Sequence, residues 1–308
     1  MKRISSFLLA FFLLTISTVG WASCPEGQEE NDRTGECEPI KGSAKAKKSL
    51  SSGSGWNFRP SLPRGLKKYS HQLVSAPNHP VRYGKKSERF EVRPGDCTKS
   101  RWYPKGWNDC KTDRERSELE QIKHKNCSVP YCGPWQRQGD EYWYRWSLYI
   151  PEGHQNIFRT KLAYGQFHQF RIKPMGGCPP AFMFQEYGGG YWLNIQPTIL
   201  GYDDNYRLLE VDKFVGKWND IVVHARWSGG SDGWFSVWVN GDPKVDYHGK
   251  TMACQGVASS NIDVYFKYGV YRSFMSRSSK SKTVTTIAYY DGVVRSKSRD
   301  GMFDPLPE

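Results

Sequence analysis

Hydrophobic and polar residues alternate with a period of two over much of the chain. Residues 142–150 alternate and end before Pro151, and residues 218–227 alternate without interruption. This period is typical of a half-buried β-strand, because successive side chains of a strand point to opposite faces. The Ser/Gly/Asp-rich residues 228–233 then form a turn signal before a further alternating run at 234–239, which predicts a β-hairpin.

The same reasoning predicts strands at residues 263–272 and 283–294. Residues 114–123 fit either a strand or a helix, and the strand is preferred. Many strands separated by Gly/Pro turns, without alternating helices, indicate an all-β antiparallel sandwich or jelly roll. We expect one such domain over residues 56–308, a length of about 250 residues that suits a single sandwich.

The N-terminal residues have the layout of an export signal. Lys2 and Arg3 precede an apolar run at 7–19, and small residues follow. This predicts a signal peptide over 1–22 and a secreted or periplasmic protein, since the run is short for a membrane span of about 20 residues. A retained N-terminal anchor is the alternative. Residues 23–55 then read as a Cys-bounded segment followed by a flexible Lys/Ser/Gly linker.

The chain contains eight cysteines, an even number that favours disulfides in an exported protein. No CxxC pair or cysteine–histidine cluster at zinc-binding spacing is present. Connectivity cannot be deduced from a sequence, so the pairing is a hypothesis. The expected pairs are Cys24–Cys37, Cys97–Cys110, Cys127–Cys132 and Cys178–Cys254.

The charge of the chain favours a polyanionic partner. The formal net charge is +13, or +11 without Lys2 and Arg3, and a field of this sign concentrates polyanions near the surface. Export and disulfides argue against nucleic acid, and no membrane span is expected. Twelve Trp and eighteen Tyr suit stacking on sugars, although they also suit a β-rich core. An anionic polysaccharide is therefore the expected partner of a monomer.

Three segments carry candidate chemistry. In the first, Arg116 shares a strand face with Glu118 and Glu120, so that its planar guanidinium could be held to grip a substrate carboxylate; a solvated charge ladder is the alternative. In the second, Gln166 and His168 point the same way while the residue between them enters the core. A surface Gln and His would show the same pattern.

The third segment runs from Tyr265 to Arg272. Tyr265, Lys267 and Tyr271 share one face, and Gly269 between them is expected to leave room for a ligand. A nearby ammonium group of Lys267 would favour the phenolate of Tyr271, which needs such help to act as a base. The alternative is an ordinary half-buried strand with an amphipathic lysine.

Together the three segments resemble the jelly-roll polysaccharide lyases, which have a concanavalin A-like fold. Alginate lyases of this fold carry Arg-Ser/Thr-Glu-Leu/Val-Arg, Gln-Ile/Val-His and Tyr-Phe-Lys-Ala-Gly-Ile/Val-Tyr-Asn-Gln in this order. The resemblance covers roughly residues 56–305 and is closer to the heparin lyase I and glucuronan lyase group. That group has Tyr-Phe-Lys-x-Gly-x-Tyr-Arg, a Lys-Trp-x-Asp-Ile-Val segment (here 217–222) and a Trp-Val-Asn-Gly hairpin (here 238–241).

The departures from the alginate-lyase motifs affect the substrate more than the chemistry. Glu120 replaces the last arginine of the first motif, Tyr268 replaces alanine, and Arg272-Ser273 replaces Asn-Gln. These differences put alginate as the substrate in doubt. The resemblance still implies β-elimination at a uronate on the five matching positions, which are Arg116, Gln166, His168, Lys267 and Tyr271.

The resemblance also implies a role for each position. Arg116 and Gln166 would neutralise the uronate carboxylate, and Lys267 would tune Tyr271. Tyr271 would transfer both protons in a syn elimination, whereas His168 would be the base in an anti elimination. Further residues on strand faces are expected to extend the substrate groove, namely Trp192, Asn194, His224, Arg226, Trp234, Trp238 and Arg272.

No cofactor or metal site is expected, and the sequence leaves a contribution from calcium open. Two other functions compete with the lyase. A non-catalytic, lectin-like jelly roll would keep the basic groove without the chemistry of Tyr271. A retaining glycoside hydrolase needs two carboxylates flanking the bond, and only Asp242 or Glu186 could serve.

Overall fold

The computed structural model describes residues 28–30, 37–39, 58–101, 105–122, 135–157, 159–173 and 175–303. The chain divides into two units, Met1–Lys48 and Ser49–Glu308. In the first unit, β1 (Gln28–Glu30) and β2 (Cys37–Pro39) form a two-stranded antiparallel sheet. The predicted signal peptide and linker lie outside the described residues.

Most of the regular secondary structure in the second unit is β-strand. Among its described residues there are two short α-helices, α1 (Pro197–Leu200) and α2 (Val211–Phe214). The strands are β3 (Phe58–Pro60), β4 (His71–Val74), β5 (Ser87–Val92), β6 (Arg114–Gln121), β7 (Glu141–Tyr149), β8 (Lys161–Arg171), β9 (Gly176–Tyr187), β10 (Gly190–Ile195), β11 (Asp204–Leu209), β12 (Trp218–Arg226), β13 (Trp234–Val239), β14 (Asp242–His248), β15 (Ile262–Ser273) and β16 (Thr286–Ser296).

These strands form two seven-stranded antiparallel sheets. The first sheet has the order β11-β10-β9-β8-β15-β6-β3, and the second has the order β14-β13-β12-β7-β16-β5-β4. The all-β antiparallel jelly-roll prediction is confirmed. Residues 114–121 form a strand, as preferred over a helix, whereas β16 begins three residues later than predicted because a 3₁₀-helix at Ser279–Lys282 comes first.

Aromatic side chains from both sheets form the core between them. The ring centroids of Phe266 in the first sheet and Trp146 in the second are 4.9 Å apart. Phe182 of the first sheet stacks on Phe235 of the second, with ring centroids 3.9 Å apart. Each buried ring of this size contributes about 1.5–3 kcal/mol to stability relative to an exposed one. Because Phe167 and Phe266 are fully buried here, the residues next to them along each strand must face away from the core.

A bulge in β15 explains Gly269 differently from the sequence prediction. The pairing between β15 and β8 shifts between Tyr268 and Tyr271, and Gly269 has φ +124°. A Cβ atom at Gly269 would collide with the Ser117 carbonyl oxygen and lie 2.9 Å from the Phe90 ring. The glycine is therefore required by the bulge and the core, and the prediction that it leaves room for a ligand was wrong.

Two of the four predicted disulfides are confirmed. Cys97 bonds to Cys110 with Cα atoms 5.0 Å apart, and Cys178 bonds to Cys254 with Cα atoms 5.9 Å apart. The pairs predicted for 24–37 and 127–132 involve side chains outside those that the structure describes. Within the described residues, no helix has the length and apolar character needed to span a membrane.

Candidate active site

Three neighbouring strands of the first sheet, β6, β15 and β8, bring all five predicted catalytic residues to one face. In the strand register Tyr271 lies opposite Arg116, and Lys267 lies opposite Gln166. His168 pairs with Tyr265, two residues before Lys267. Residues directly opposite each other in a sheet share a face, and this face points away from the core. We call it the site face.

Glu118 connects three of the five residues. Its carboxylate accepts a hydrogen bond from Gln166 Nε2 and lies 3.2 Å from Arg116 Nη1 and 3.4 Å from Lys267 Nζ. Lys267 Nζ also donates to Ser61 Oγ at 2.9 Å. Glu118, Arg116, Gln166 and Lys267 are nearly fully buried, so this network is screened little by solvent.

Asp109 fixes Arg116 from the other side. Asp109 is fully buried, and its two oxygens accept bonds from Arg116 Nε at 2.6 Å and Nη2 at 2.8 Å. The same carboxylate accepts bonds from Thr98 Oγ1 and Trp107 Nε1. Burial by itself would lower the pKa of Arg116, but the carboxylates of Asp109 and Glu118 outweigh it and raise the pKa above its ordinary value.

Arg116 is therefore already paired with carboxylates of the protein, and its predicted grip on a substrate carboxylate stays a prediction. Its bidentate edge faces Asp109 and its remaining terminal nitrogen faces Glu118. The guanidinium also lies 4.7 Å from the ring centroid of Tyr271. Because a planar cation on an aromatic face restricts the ring, Arg116 positions Tyr271.

The hydroxyl of Tyr271 has a cationic partner other than the predicted one. Arg114 Nε donates a hydrogen bond to it at 2.8 Å, whereas the ammonium group of Lys267 contacts Glu118 and Ser61. The expectation that Lys267 acts directly on Tyr271 is thus replaced by an Arg114 contact.

His168 is arranged to accept a proton. Its Nδ1 lies 3.1 Å from the Gln169 carbonyl oxygen, which can only accept, so Nδ1 carries the hydrogen and Nε2 has the lone pair. Tyr265, stacked on Trp135 at 4.4 Å, places its hydroxyl 3.3 Å from the same Nδ1. Burial, followed by the charges of Lys267 and Arg116, lowers the pKa of His168 well below its ordinary value. The imidazole is therefore neutral at neutral pH.

Exposure separates the two proton-transfer candidates from the residues around Glu118. His168 and Tyr271 keep partly exposed side chains, whereas Arg116, Gln166 and Lys267 are buried. A ligand on the site face could therefore reach the imidazole and the phenol, with a fixed set of charges beneath them.

Two of the predicted substrate-binding residues share the site face. In the strand register, Tyr271 is opposite Ala163, Ala163 is opposite Gln185, and Gln185 is opposite Trp192. Trp192 is therefore three strand spacings from Tyr271, or about 14 Å. Asn194 and Gln166 are both opposite Met183, on its two neighbouring strands. Asn194 Nδ2 donates a hydrogen bond to Asn205 Oδ1 at 2.8 Å. Arg207, which the sequence analysis missed, lies 4.6 Å from the Trp192 ring centroid with its side chain about half exposed.

Four other predicted substrate-binding residues lie on the second sheet, so that prediction was wrong. They are in β12 and β13, on the face away from the core, where His224 stacks on Trp143 at 4.0 Å. The period of two identifies residues that share a face, but it does not say which sheet they belong to. The four residues are His224, Arg226, Trp234 and Trp238.

Arg272 is also not available to a substrate on the site face. It is fully buried and donates to the Val284 carbonyl at 2.7 Å, to Thr286 Oγ1 at 3.1 Å and to the Glu115 carboxylate. Because Arg272 follows Tyr271 directly, it points to the opposite side of the strand. Its predicted binding role is wrong.

The two carboxylates considered for a hydrolase do not form a pair on the site face. Glu186 is buried and bonded to His154 Nε2 at 2.7 Å and to the Tyr164 hydroxyl at 3.0 Å. Asp242 is exposed on β14 of the second sheet. Among the described residues, no cluster of His, Cys, Asp and Glu side chains is suited to holding a metal ion.

The sequence contained a signal for only some of the missed residues. Arg114 lies two positions before Arg116, so strand alternation alone places both on one face. Asp109 belongs to a 3₁₀-helix, Asp109–Lys111, outside any alternating segment. Only the folding of that turn over β6 brings its carboxylate to Arg116.

Comparisons with known proteins identify the family and the fold. The family model described as polysaccharide lyase matches residues 48–294. A solved endo-β-1,4-glucuronan lyase from the fungus Trichoderma reesei is 15% identical, with a TM-score of 0.51 over 81% of this chain and 98% of that chain. A family 7 alginate lyase, A1-II′, in complex with substrate is 13% identical, with a TM-score of 0.51 over 80% and 95%. These likenesses concern the fold. No curated protein sequence matches the chain.

Proposed function

Because this chain belongs to the polysaccharide lyase family, we propose that it cleaves an acidic, uronic-acid-containing polysaccharide by β-elimination. The candidate substrates are glucuronan, heparin-like and alginate-like chains. The observation that carries the proposal is the presence, on one sheet face, of an arginine-bound tyrosine hydroxyl and a neutral imidazole.

The reaction needs a base at C5 and an acid at O4 of the bond that breaks. The base removes the C5 proton, the electron pair of that bond becomes the C4–C5 double bond, and the C4–O4 bond breaks with its pair on O4. The acid then protonates O4. The product carries a 4,5-unsaturated uronate at its new non-reducing end.

Tyr271 and His168 supply these two groups. If the C5 proton and O4 lie on the same side of the sugar, Tyr271 in its phenolate form can remove the C5 proton and then give that proton to O4. If they lie on opposite sides, the Nε2 lone pair of His168 takes the C5 proton while Tyr271 protonates O4. The tautomer fixed by the Gln169 carbonyl leaves that lone pair available.

The C5 proton is a weak acid because the neighbouring carboxylate is already negative. The site face offsets this charge: Arg59, Arg114, Arg116 and Lys267 are cations, and Asp109, Glu118 and Glu120 are carboxylates, which leaves a net charge of +1. We assign neutralisation of the uronate to this net positive charge, with Arg116, Gln166 and Lys267 held together around Glu118 beneath the ligand. Trp192 and Asn194 are proposed to bind sugars farther along the same face.

Export belongs to the same proposal. The N-terminal pattern Lys2, Arg3 and an apolar run supports secretion or a periplasmic location, where a polysaccharide substrate is met. The two disulfides of the second unit, Cys97–Cys110 and Cys178–Cys254, are of the kind that oxidising compartments maintain.

The test is a substrate screen that separates the three candidate functions. Glucuronan, alginate, heparin, heparan sulfate and pectate are incubated with the protein, and the ultraviolet absorbance of unsaturated uronates is followed. A rise with one of them supports the lyase. Saturated products from a cleaved chain would indicate a hydrolase, and binding without any cleavage would indicate a lectin.

A further inference from the structure

Arg114 contacts the reactive atom of Tyr271, although none of the sequence motifs includes this arginine. Its Nε donates to the Tyr271 hydroxyl at 2.8 Å. On the basis of the function proposed above, we propose that Arg114 is a further catalytic residue. It stabilises the negative charge that develops on the Tyr271 oxygen during proton transfer.

The guanidinium of Arg114 is held in place from two sides. Its Nη1 donates to the Thr112 carbonyl, and the group lies 5.2 Å from the ring centroid of Trp107. Trp107 is itself fixed, because its Nε1 donates to Asp109 at 2.8 Å. A donor whose direction is set before the reaction costs no reorganisation when charge appears on its acceptor.

The charge of Arg114 is also less compensated than that of its neighbours. Arg116 is paired with Asp109 and Glu118, and Lys267 is paired with Glu118. Over the part of the chain that the structure describes, no carboxylate lies within ion-pair distance of Arg114, whose side chain is partly exposed. Arg114 therefore contributes an uncompensated positive charge at the phenol oxygen.

The direction of the hydrogen bond from Arg114 to Tyr271 indicates that this contact acts when Tyr271 protonates O4. Because Arg114 donates, the proton of the Tyr271 hydroxyl can point to the substrate. When that proton moves to O4 as the C4–O4 bond breaks, the Tyr271 oxygen becomes anionic and the bond from Arg114 becomes charge-assisted on both sides. With His168 as the base and Tyr271 starting as the neutral hydroxyl, this contact is stronger in the transition state than in the ground state, so it should affect kcat more than KM.

The experiment compares two variants of Arg114 with a matched control. Arg226 is suitable, because it is a partly exposed strand arginine 5.6 Å from the Trp234 ring on the outer face of the second sheet. With the polysaccharide that the wild type cuts best, Arg114→Gln should lower kcat by about 10²–10³-fold, the effect of losing one charge-stabilising donor. KM should change little, Arg114→Lys should recover part of kcat, and Arg226→Gln should leave both constants at wild-type values.

Chemical rescue separates catalysis from folding. Thermal unfolding of each variant is measured first, and Arg114→Ala is then assayed with added guanidinium at concentrations that do not unfold the protein. Recovery of kcat in Arg114→Ala, but not in Tyr271→Phe, is expected. A folded Arg114→Gln enzyme with wild-type kcat would overturn the proposal, as would a loss confined to KM. Absence of unsaturated products from the wild type would count against the proposed function instead.

Discussion

Replacing Tyr271 with phenylalanine should remove catalysis and leave the fold almost unchanged. The ring stays in place on the Arg116 guanidinium, and only the hydroxyl that accepts from Arg114 is lost. Because the side chain is partly exposed, water can take over the Arg114 donor, so we expect a cost of about 1 kcal/mol in the free energy of unfolding. In a domain of this size that lowers Tm by about 2–4 °C.

Turnover should fall much further, by about 10²–10⁴-fold, the effect of losing a general acid–base group. The control is Tyr289→Phe, which removes a hydroxyl bonded to His79 Nδ1 at 3.1 Å on the second sheet. It should have a similar cost in stability and none in turnover. The assay follows the initial rate of unsaturated-uronate formation, with polysaccharide binding measured separately. A Tyr271→Phe protein that folds, binds and cuts at the wild-type rate would refute the mechanism.

Three more predictions follow from the site face. The lowered pKa of His168 means that, below about pH 6.5, the unfolded chain takes up a proton that the folded chain does not, so the free energy of unfolding should decline as the pH falls. Chemical denaturation at several pH values should show a shallower decline for His168→Asn than for the wild type. An identical pH dependence of the two proteins would contradict the burial argument. Asp109→Ala leaves Arg116 buried without its bidentate partner and should cost about 3–5 kcal/mol of unfolding free energy; a loss below about 1 kcal/mol would show that solvent reaches the pair. Trp192→Ala should raise KM for long oligosaccharides but not for the shortest oligosaccharide that is cut, because Trp192 lies about 14 Å from Tyr271. An equal change in KM for both lengths would show that Trp192 does not bind the substrate.

Strand alternation alone predicted most of the site face. Within β15, Lys267 and Tyr271 share a side because side chains alternate, and Tyr268 and Val270 between them are buried. The same rule placed Gln166 and His168 together on β8. These are local consequences of strand geometry, so they do not depend on how the strands are arranged in the sheets.

Alternation could not tell one sheet from the other. His224 and Trp238 alternate as regularly as Lys267 and Tyr271, yet β12 and β13 belong to the second sheet and β15 to the first. Which strands become neighbours depends on long-range pairing and on the packing of aromatic residues such as Trp146 and Phe266 between the sheets. That information is spread over the whole chain.

The sequence by itself determined the all-β architecture and the outward direction of the candidate catalytic side chains. It offered the disulfides Cys97–Cys110 and Cys178–Cys254 as a hypothesis, which the structure confirms. Tertiary structure alone decided which charges meet. In the folded chain Arg116 forms an ion pair with Asp109, Lys267 forms an ion pair with Glu118, and Arg114 donates a hydrogen bond to the Tyr271 hydroxyl. Ion pairs and hydrogen bonds depend on distances of a few ångströms between groups from different segments, whereas alternation reports only the side of its own strand.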